Sequence, residues 1–484
     1  MTRPAPPPPL VWAMVVVFVV ATTAALLGIG VHATRGGHAA VDEPQYLLTA
    51  LSLAEDGDLD ISDELAAERW RAYFHDDLPM QTAPLEDGRE LSPHDPLLPV
   101  LLAVPMRLGG FLAAKAALSA VAGVAAALSV WTAVRRFQVP LGLATSGVAV
   151  AFASPPLAVY GQQVYPELPA ALAVAVAVAA LTGRLGARGL VVLVLAVTAL
   201  PWLGVKYAPV AAALVLVALA RLVLARRRQA VLGLTGGLLV SGITYLAAHQ
   251  AIWGGWTVYA SGDHFVDTGE FSVVGVAPDY VGRSLRLVSL FTDQAYGLAA
   301  WQPAWLLAVA ALGALLAVRP RGWAALAVPL AAGWLVATFV ALTMNGFWWP
   351  GRQVVVVLPL ALVMVLWWLG RSPVGVRVVA GVLGLVGVLA LVTLLVDGWA
   401  GEITWVAHFE GVDNPAYQLL RVFLPDYRAG WSHFWVGHLI WCAVLVCLVA
   451  AGWSQARRRE NAEAVLDETS HEDEDAAALT ASTR

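Results

Sequence analysis

The sequence predicts an all-α polytopic membrane protein with about twelve transmembrane helices, on three observations. Hydrophobic residues fill 59% of the 484 positions and charged residues 13%. A soluble domain carries about a quarter charged residues, so lipid must solvate much of this apolar surface. Apolar runs of spanning length recur along the chain, and the loops between them alternate between arginine-bearing and acidic.

The first run, about Leu10 to Val31, spans roughly 20 residues, longer than the core of a cleaved signal. It reads as a retained anchor, with cleavage near HATRGGHAA as the alternative. Further spans fall at approximately 111–134, 141–160, 166–182, 189–203, 207–224, 230–250, 302–318, 323–344, 353–370, 375–396 and 433–454. Leu97 to Leu108 is too short to cross and reads as an interfacial or re-entrant helix. Pro155-Pro156, Pro166, Pro201, Pro209, Pro350 and Pro373 mark junctions.

With the N-terminus inside, the inner loops carry Arg135-Arg136, Arg184 and Arg188, Arg226 to Arg228, Arg319 and Arg321, Arg371 and Arg377, and Arg457 to Arg459. No internal loop of that set carries an Asp or Glu, so the positive-inside pattern holds at every turn. The expectation is a multi-pass protein of the plasma (inner) membrane. Residues 1–456 form its transmembrane domain, with extracytoplasmic loops at about 32–95, 253–301 and 397–432. Residues 457–484 read as a disordered acidic cytoplasmic tail.

Several classes drop out. There is no Gly-rich phosphate loop, no metal-binding Cys/His spacing, no internal repeat and no basic patch for nucleic acid. Cys442 and Cys447 share one apolar segment, which argues against a disulfide.

Chemistry-bearing residues gather on the outer side. Asp42-Glu43 opens VDEPQYLLTALSLAEDGDLDI, whose Tyr46, Leu47, Ala50, Leu51, Leu53 and Ala54 give one apolar helical face. Read plainly, this is a helix start, with Pro44 in the first turn and the acids favoured by the helix dipole. Its position just past the first span also suits a paired-carboxylate site. Lys206 and Arg352 each sit at the outer end of a span, where they either snorkel or bind an anion. Lys115 reads as a snorkelling anchor. His94-Asp95 reads as a turn with an Asx-type cap, or, with Asp42 and Glu167, as a divalent-metal cluster or acceptor-lining set. Glu167 alone is an ordinary first-turn acid. The outer tryptophans (Trp202, Trp253, Trp256, Trp301, Trp348, Trp349, Trp399, Trp405, Trp431) read as an interfacial belt, a minority of them suited to stacking on a sugar. Charges at Asp263, His264, Asp267 and Glu270 read as solvated loop, and Arg283 and Arg286 as loop charges or phosphate contacts.

Asp42-Glu43-x-x-Tyr46 after a first span resembles the first-loop motif of GT-C glycosyltransferases, particularly the protein O-mannosyltransferase and aminoarabinose-transferase branch. LSPHDPLLPVLLAVP, VYPELPAAL, SLFTDQAYGLAAWQPAWLLAV and WWPGRQVVVVLP resemble further stretches of bacterial members. The resemblance implies a GT-C-like fold with a partly helical first outer loop. It implies inverting transfer of a monosaccharide from a polyprenyl-phosphate-linked donor to a cell-envelope glycan, lipid or protein hydroxyl. Asp42 would be the general base and Glu43 its helper, with Lys206 and Arg352 on the donor phosphate. Tyr46, His94, Asp95 and Glu167 would line the acceptor side or supply a second acid. No cofactor follows with certainty; a divalent metal fits the His/carboxylate set. The lack of a large soluble domain after the last span argues against acceptors of the oligosaccharyltransferase kind. Two other classes stand beside the enzyme. A transporter or lipid flippase needs ionisable residues near mid-span, where this chain has mostly Ala, Val, Leu and Gly. A non-catalytic envelope-assembly protein needs no meeting of Asp42, Lys206 and Arg352.

Overall fold

The computed structural model describes residues 8–482 except 82–83, 86, 263–276, 407–408 and 410–411. Asp263, His264, Asp267 and Glu270 lie outside the described residues. The protein is an all-helical, polytopic membrane protein. Eight helical segments among the described residues are long and apolar enough to cross a membrane. Four shorter apolar ones accompany them, at Leu141–Phe152, Glu167–Leu181, Ala187–Leu203 and Pro303–Val318.

In chain order the apolar helices begin with α1 (Pro9–Leu27), followed in the first long loop by α2 (Glu43–Glu55) and α3 (Ser62–Ala66). Then come α4 (Leu97–Phe137), α5 (Leu141–Phe152), the short α6 (Leu157–Tyr160), α7 (Glu167–Leu181), α8 (Ala187–Leu203), α9 (Ala208–Leu224) and α10 (Arg228–Trp253). The second half holds α11 (Tyr280–Ser284), α12 (Arg286–Thr292), α13 (Leu298–Trp301), α14 (Leu307–Val318), α15 (Trp323–Leu335), α16 (Leu358–Leu369), α17 (Val374–Trp399), α18 (Pro415–Arg421) and α19 (Trp431–Ser482).

Every span expected from the sequence has a helix, with local differences. The backbone of α4 breaks at Gly109 and Gly110, the latter at φ +62° in the left-handed region, so Leu97 to Leu108 is a separate rod ahead of the true span. The run expected at 141–160 is interrupted after Phe152, where Pro155 and Pro156 supply no backbone donors. The stretch expected to be disordered after Arg457 continues helix α19 to Ser482, and its Ala, Glu and Leu are good helix formers.

Burial sorts the spans. In Arg352–Leu369 nearly every residue is buried and the segment forms the middle of the bundle, whereas few residues of Arg228–Trp253 are buried and it faces outward. Outward side chains such as Leu239, Val240 and Ile243 are apolar, as lipid solvation requires. Trp301, Trp349 and Trp405, expected in the interfacial belt, are instead fully buried. Trp301 stacks on Tyr417 at 4.3 Å and Trp349 meets Trp405 edge-on at 5.5 Å.

The first loop is pinned to the bundle by a buried ion pair. Glu43 accepts hydrogen bonds from the backbone N–H of Ala40 (2.9 Å) and of Val164 (2.7 Å). Lys115 of α4 lies 3.6 Å from it and donates to the Ala-flanking His38 carbonyl at 2.6 Å. Both side chains are wholly buried, so Lys115 is no snorkelling anchor. Tyr165 adds a bond to the Ala40 carbonyl (3.1 Å), closing the junction among the first loop, α4 and the turn before α7. Removing one member of such a pair strands the other charge, at a cost of about 3–5 kcal/mol. Lys115→Met is expected to destabilise the detergent-solubilised protein by that order. The Glu43→Gln/Lys115→Met double variant should recover much of the loss, and thermal melts of all three proteins check this.

Candidate functional site

Asp42 stands at the N-cap position of α2, yet its side chain makes no capping bond. The preceding Val41 has φ +54°, a costly conformation for a β-branched residue, so the chain turns sharply just before the carboxylate. Asp42 is thereby free to reach outward from its own helix. Its Oδ2 accepts from Arg352 Nη2 at 2.7 Å, and its Oδ1 accepts from Gln81 Nε2 at 3.3 Å. His94 Nε2 lies 4.0 Å from the same Oδ1 and 3.1 Å from Gln81 Oε1. The His94 ring stacks on Tyr46 at 4.7 Å, which fixes the ring plane against the buried face of α2.

Arg352 reaches this point from the far end of the sequence. Gly351 turns the chain with φ +84°, a conformation costly for any residue with a Cβ, and a 3-10 stretch from Arg352 to Val357 follows. The guanidinium Nε donates to Glu167 Oε1 at 2.8 Å, while its plane lies over the Tyr165 ring at 4.0 Å and near Trp348 at 5.1 Å. Glu167 opens α7, and its Oε1 also accepts from Lys206 Nζ at 2.7 Å. Lys206 occupies the short turn between α8 and α9. Two anions and two cations from four separated segments thus form one chain of contacts, Asp42–Arg352–Glu167–Lys206. Three members are mostly buried; the Lys206 side chain is 34% exposed.

Burial by itself raises the Asp42 carboxyl, but the Arg352 guanidinium, helped by His94, outweighs it and brings the group to about 2. Burial holds His94 below its ordinary range despite the pull of Asp42, so His94 is neutral at pH 7. At neutral pH Asp42 is therefore a carboxylate with a neutral imidazole beside it.

Not every expected residue joins this set. Glu43, expected beside Asp42 as its helper, points into the buried Lys115 pair, because consecutive residues at a helix start project about 100° apart. Asp95 turns away to bind Tyr245 Oη (2.9 Å), His249 Nε2 (3.2 Å) and the Val205 backbone N–H (3.2 Å). It secures the turn that carries Lys206 and does not line an acceptor space with Asp42. With Asp95 engaged there and both cations on one oxygen of Glu167, His94, Asp95, Asp42 and Glu167 form no metal-sized cluster. Arg283 and Arg286 are spent on the carbonyls of Phe339 and Ala341, which the irregular end of the α15 segment leaves unpaired. Sequence reading missed Gln81 and Tyr165. Gln81 lies in an irregular loop and carries no pattern; Tyr165 adjoins the Pro166-Glu167 pair and had that neighbour as its signal.

The space around the network is uneven. Glu167, Lys206, Tyr207, Arg352 and Gln353 line a cavity of only about 10 Å³, room for one water. A larger apolar groove of about 300 Å³ runs between α8, α9 and α10, past Val197, Trp202, Val205, Ala211 and Leu246. Its lining includes Val205, the neighbour of Lys206 in the chain.

A carboxyl held at about 2 in the folded protein and 3.8 as its ordinary value stabilises the fold fully above pH 4. That share, about 2 kcal/mol, is lost as the pH falls through 2. The stability gap between wild type and Asp42→Asn should accordingly shrink between pH 4 and pH 2, as followed by thermal melts; a gap independent of pH contradicts the Arg352–Asp42 pairing.

No family model matches the chain, and no curated protein does. Among solved structures, the chain is similar to ArnT from Cupriavidus metallidurans, crystallised with undecaprenyl phosphate. The two are 15% identical over 92% of this chain and 76% of that one, with a TM-score of 0.47.

Proposed function

We propose that this chain is a membrane glycosyltransferase that moves a monosaccharide from a polyprenyl-phosphate-linked donor to a hydroxyl of a cell-envelope acceptor. We assign the reaction to the extracytoplasmic face of the plasma membrane. The observation that carries the reading is the convergence of Asp42, Glu167, Lys206 and Arg352 in one ion network, beside an apolar groove whose lining includes Val205, the residue before Lys206.

The polyprenyl tail would lie in the groove between α8, α9 and α10, where its apolar surface replaces lipid contact. Its phosphate would then meet Lys206, the exposed cation, and compete with Asp42 and Glu167 for Arg352. The acceptor oxygen attacks the anomeric carbon as Asp42 takes the hydroxyl proton. The bond from that carbon to the phosphate oxygen breaks, and the configuration inverts in the single displacement. Negative charge grows on the departing polyprenyl phosphate, where Lys206 and Arg352 offset it. At about 4 Å and an effective dielectric near 20, one such cation is worth on the order of 4 kcal/mol.

The resting network also explains how a carboxyl held at about 2 can serve as a base. Drawing Arg352 toward the donor phosphate removes the main influence that depresses Asp42, so basicity rises when the donor is in place. His94, neutral and stacked on Tyr46, keeps the other side of the carboxylate oriented. Glu167 sets the spacing of the two cations, and Glu43 holds the helix start from which Asp42 projects.

Transfer of labelled sugar from polyprenyl phosphate by the purified protein tests this. Asp42→Asn should lower turnover by roughly 10²–10⁴ while donor binding persists. Lys206→Ala should raise the donor KM and lower turnover, and Arg352→Ala should do both more strongly. Unchanged transfer by a folded Asp42→Asn protein removes Asp42 as base; intact donor affinity and turnover in both cation variants removes the phosphate site.

A further inference from the structure

Asp95 lies outside the Asp42–Arg352–Glu167–Lys206 chain of contacts, yet it is buried and uses both carboxylate oxygens. Its Oδ1 accepts from Tyr245 Oη at 2.9 Å and lies 3.2 Å from His249 Nε2, both on α10. Its Oδ2 accepts from the Val205 backbone N–H at 3.2 Å. That N–H opens the single 3-10 turn Val205–Tyr207, and the first N–H groups of a helical turn have no partner within it. Lys206 is the middle residue of the turn.

The groups behind Asp95 are held in their turn. His249 is fully buried, with Trp253 against its ring at 4.8 Å. Trp202 meets Tyr245 edge-on at 4.9 Å. Trp202, Val205 and Tyr245 also line the apolar groove between α8, α9 and α10. One carboxylate thus ties the groove wall to the turn that carries Lys206. On its other side, the chain neighbour His94 stands beside Asp42.

We propose that Asp95 is a positioning residue, which sets where the Lys206 ammonium stands between the apolar groove and Glu167. The inference deepens the transfer proposed above and rests on it. Lys206 has a flexible four-carbon stem tied by one carboxylate oxygen, so the backbone of its turn decides where the charge can reach. Three groups meet the two oxygens of Asp95, a demand that alanine leaves wholly unmet. Asparagine meets part of it: its amide oxygen serves the Val205 N–H, and its NH₂ turns to Tyr245, whose hydroxyl can accept.

Lys115 and Lys206 are the chain's two lysines, and Lys115 is wholly buried, so amine acetylation reports on the freedom of Lys206. The test is acetylation of the purified full chain by an N-hydroxysuccinimide ester, read at Lys206 by mass spectrometry, beside the sugar-transfer assay. Asp95→Ala should speed acetylation of Lys206 and raise the donor KM, each by about tenfold, with a smaller loss of kcat. Asp95→Asn should restore most of both. Adding Lys206→Ala to Asp95→Ala should raise the KM no further than Lys206→Ala does alone, because both act through one charge. Tyr245→Phe keeps the ring against Trp202 and should move both readouts the same way, less far; it decides the matter if Asp95→Ala does not fold. Acetylation at the wild-type rate in a folded Asp95→Ala or Tyr245→Phe protein overturns the proposal, as do fully additive KM losses. Acetylation that follows these expectations in a protein that transfers no sugar instead overturns the glycosyltransferase reading.

Discussion

Arg352 is the interaction on which this end of the molecule depends. One guanidinium is shared by two carboxylates, Asp42 and Glu167, and Lys206 completes a neutral set of four. In a mostly apolar bundle a lone ionised group would be expelled or neutralised, so each of these charges is tolerable only because the others are there. The constraint works on the backbone as well as the side chains. To meet, the first loop, the start of α7, the turn between α8 and α9, and the 3-10 stretch ahead of α16 must reach one point, and their ion pairs hold them in register.

Two neighbouring acids illustrate how the fold divides labour. Glu43 is sealed against Lys115 with two backbone donors on its carboxylate, an arrangement with no spare capacity and no route to water. Asp42, one residue earlier, keeps partial exposure and pairs with the Arg352 guanidinium, which it shares with Glu167. The sealed pair fixes where α2 starts; the strained Val41 turn then decides where Asp42 points. Rigidity in the first makes precise placement of the second affordable.

The same network bears on packing. The cavity bounded by Glu167, Lys206 and Arg352 has room for about one water, so the charged groups lie packed against one another. Lys206 is the most exposed member, held by a single carboxylate oxygen on a short turn. The apolar groove between α8, α9 and α10 is already formed beside this turn and includes Val205 in its lining.

The spans were legible in the sequence because hydropathy and the arginine pattern are local properties, written continuously over some twenty residues at a time. Lys206 and Arg352 were also legible as charges at the outer ends of apolar runs, Asp42 as half of an acid pair past the first span, and Glu167 as a first-turn acid. Their partners were not. That Asp42 pairs with Arg352 across 310 positions, that Glu43 turns to Lys115, and that Asp95 leaves for Tyr245 and His249 depend on which helices pack together. Gln81 and the buried tryptophans were hidden for the same reason, since an amide in a loop or an indole near a span end looks alike whichever way it faces. Sequence by itself determined that the chain lives in a membrane and which charges stand out; only tertiary structure decided which charges neutralise one another, because pairing is a matter of distance in space and the chain's own order does not contain it.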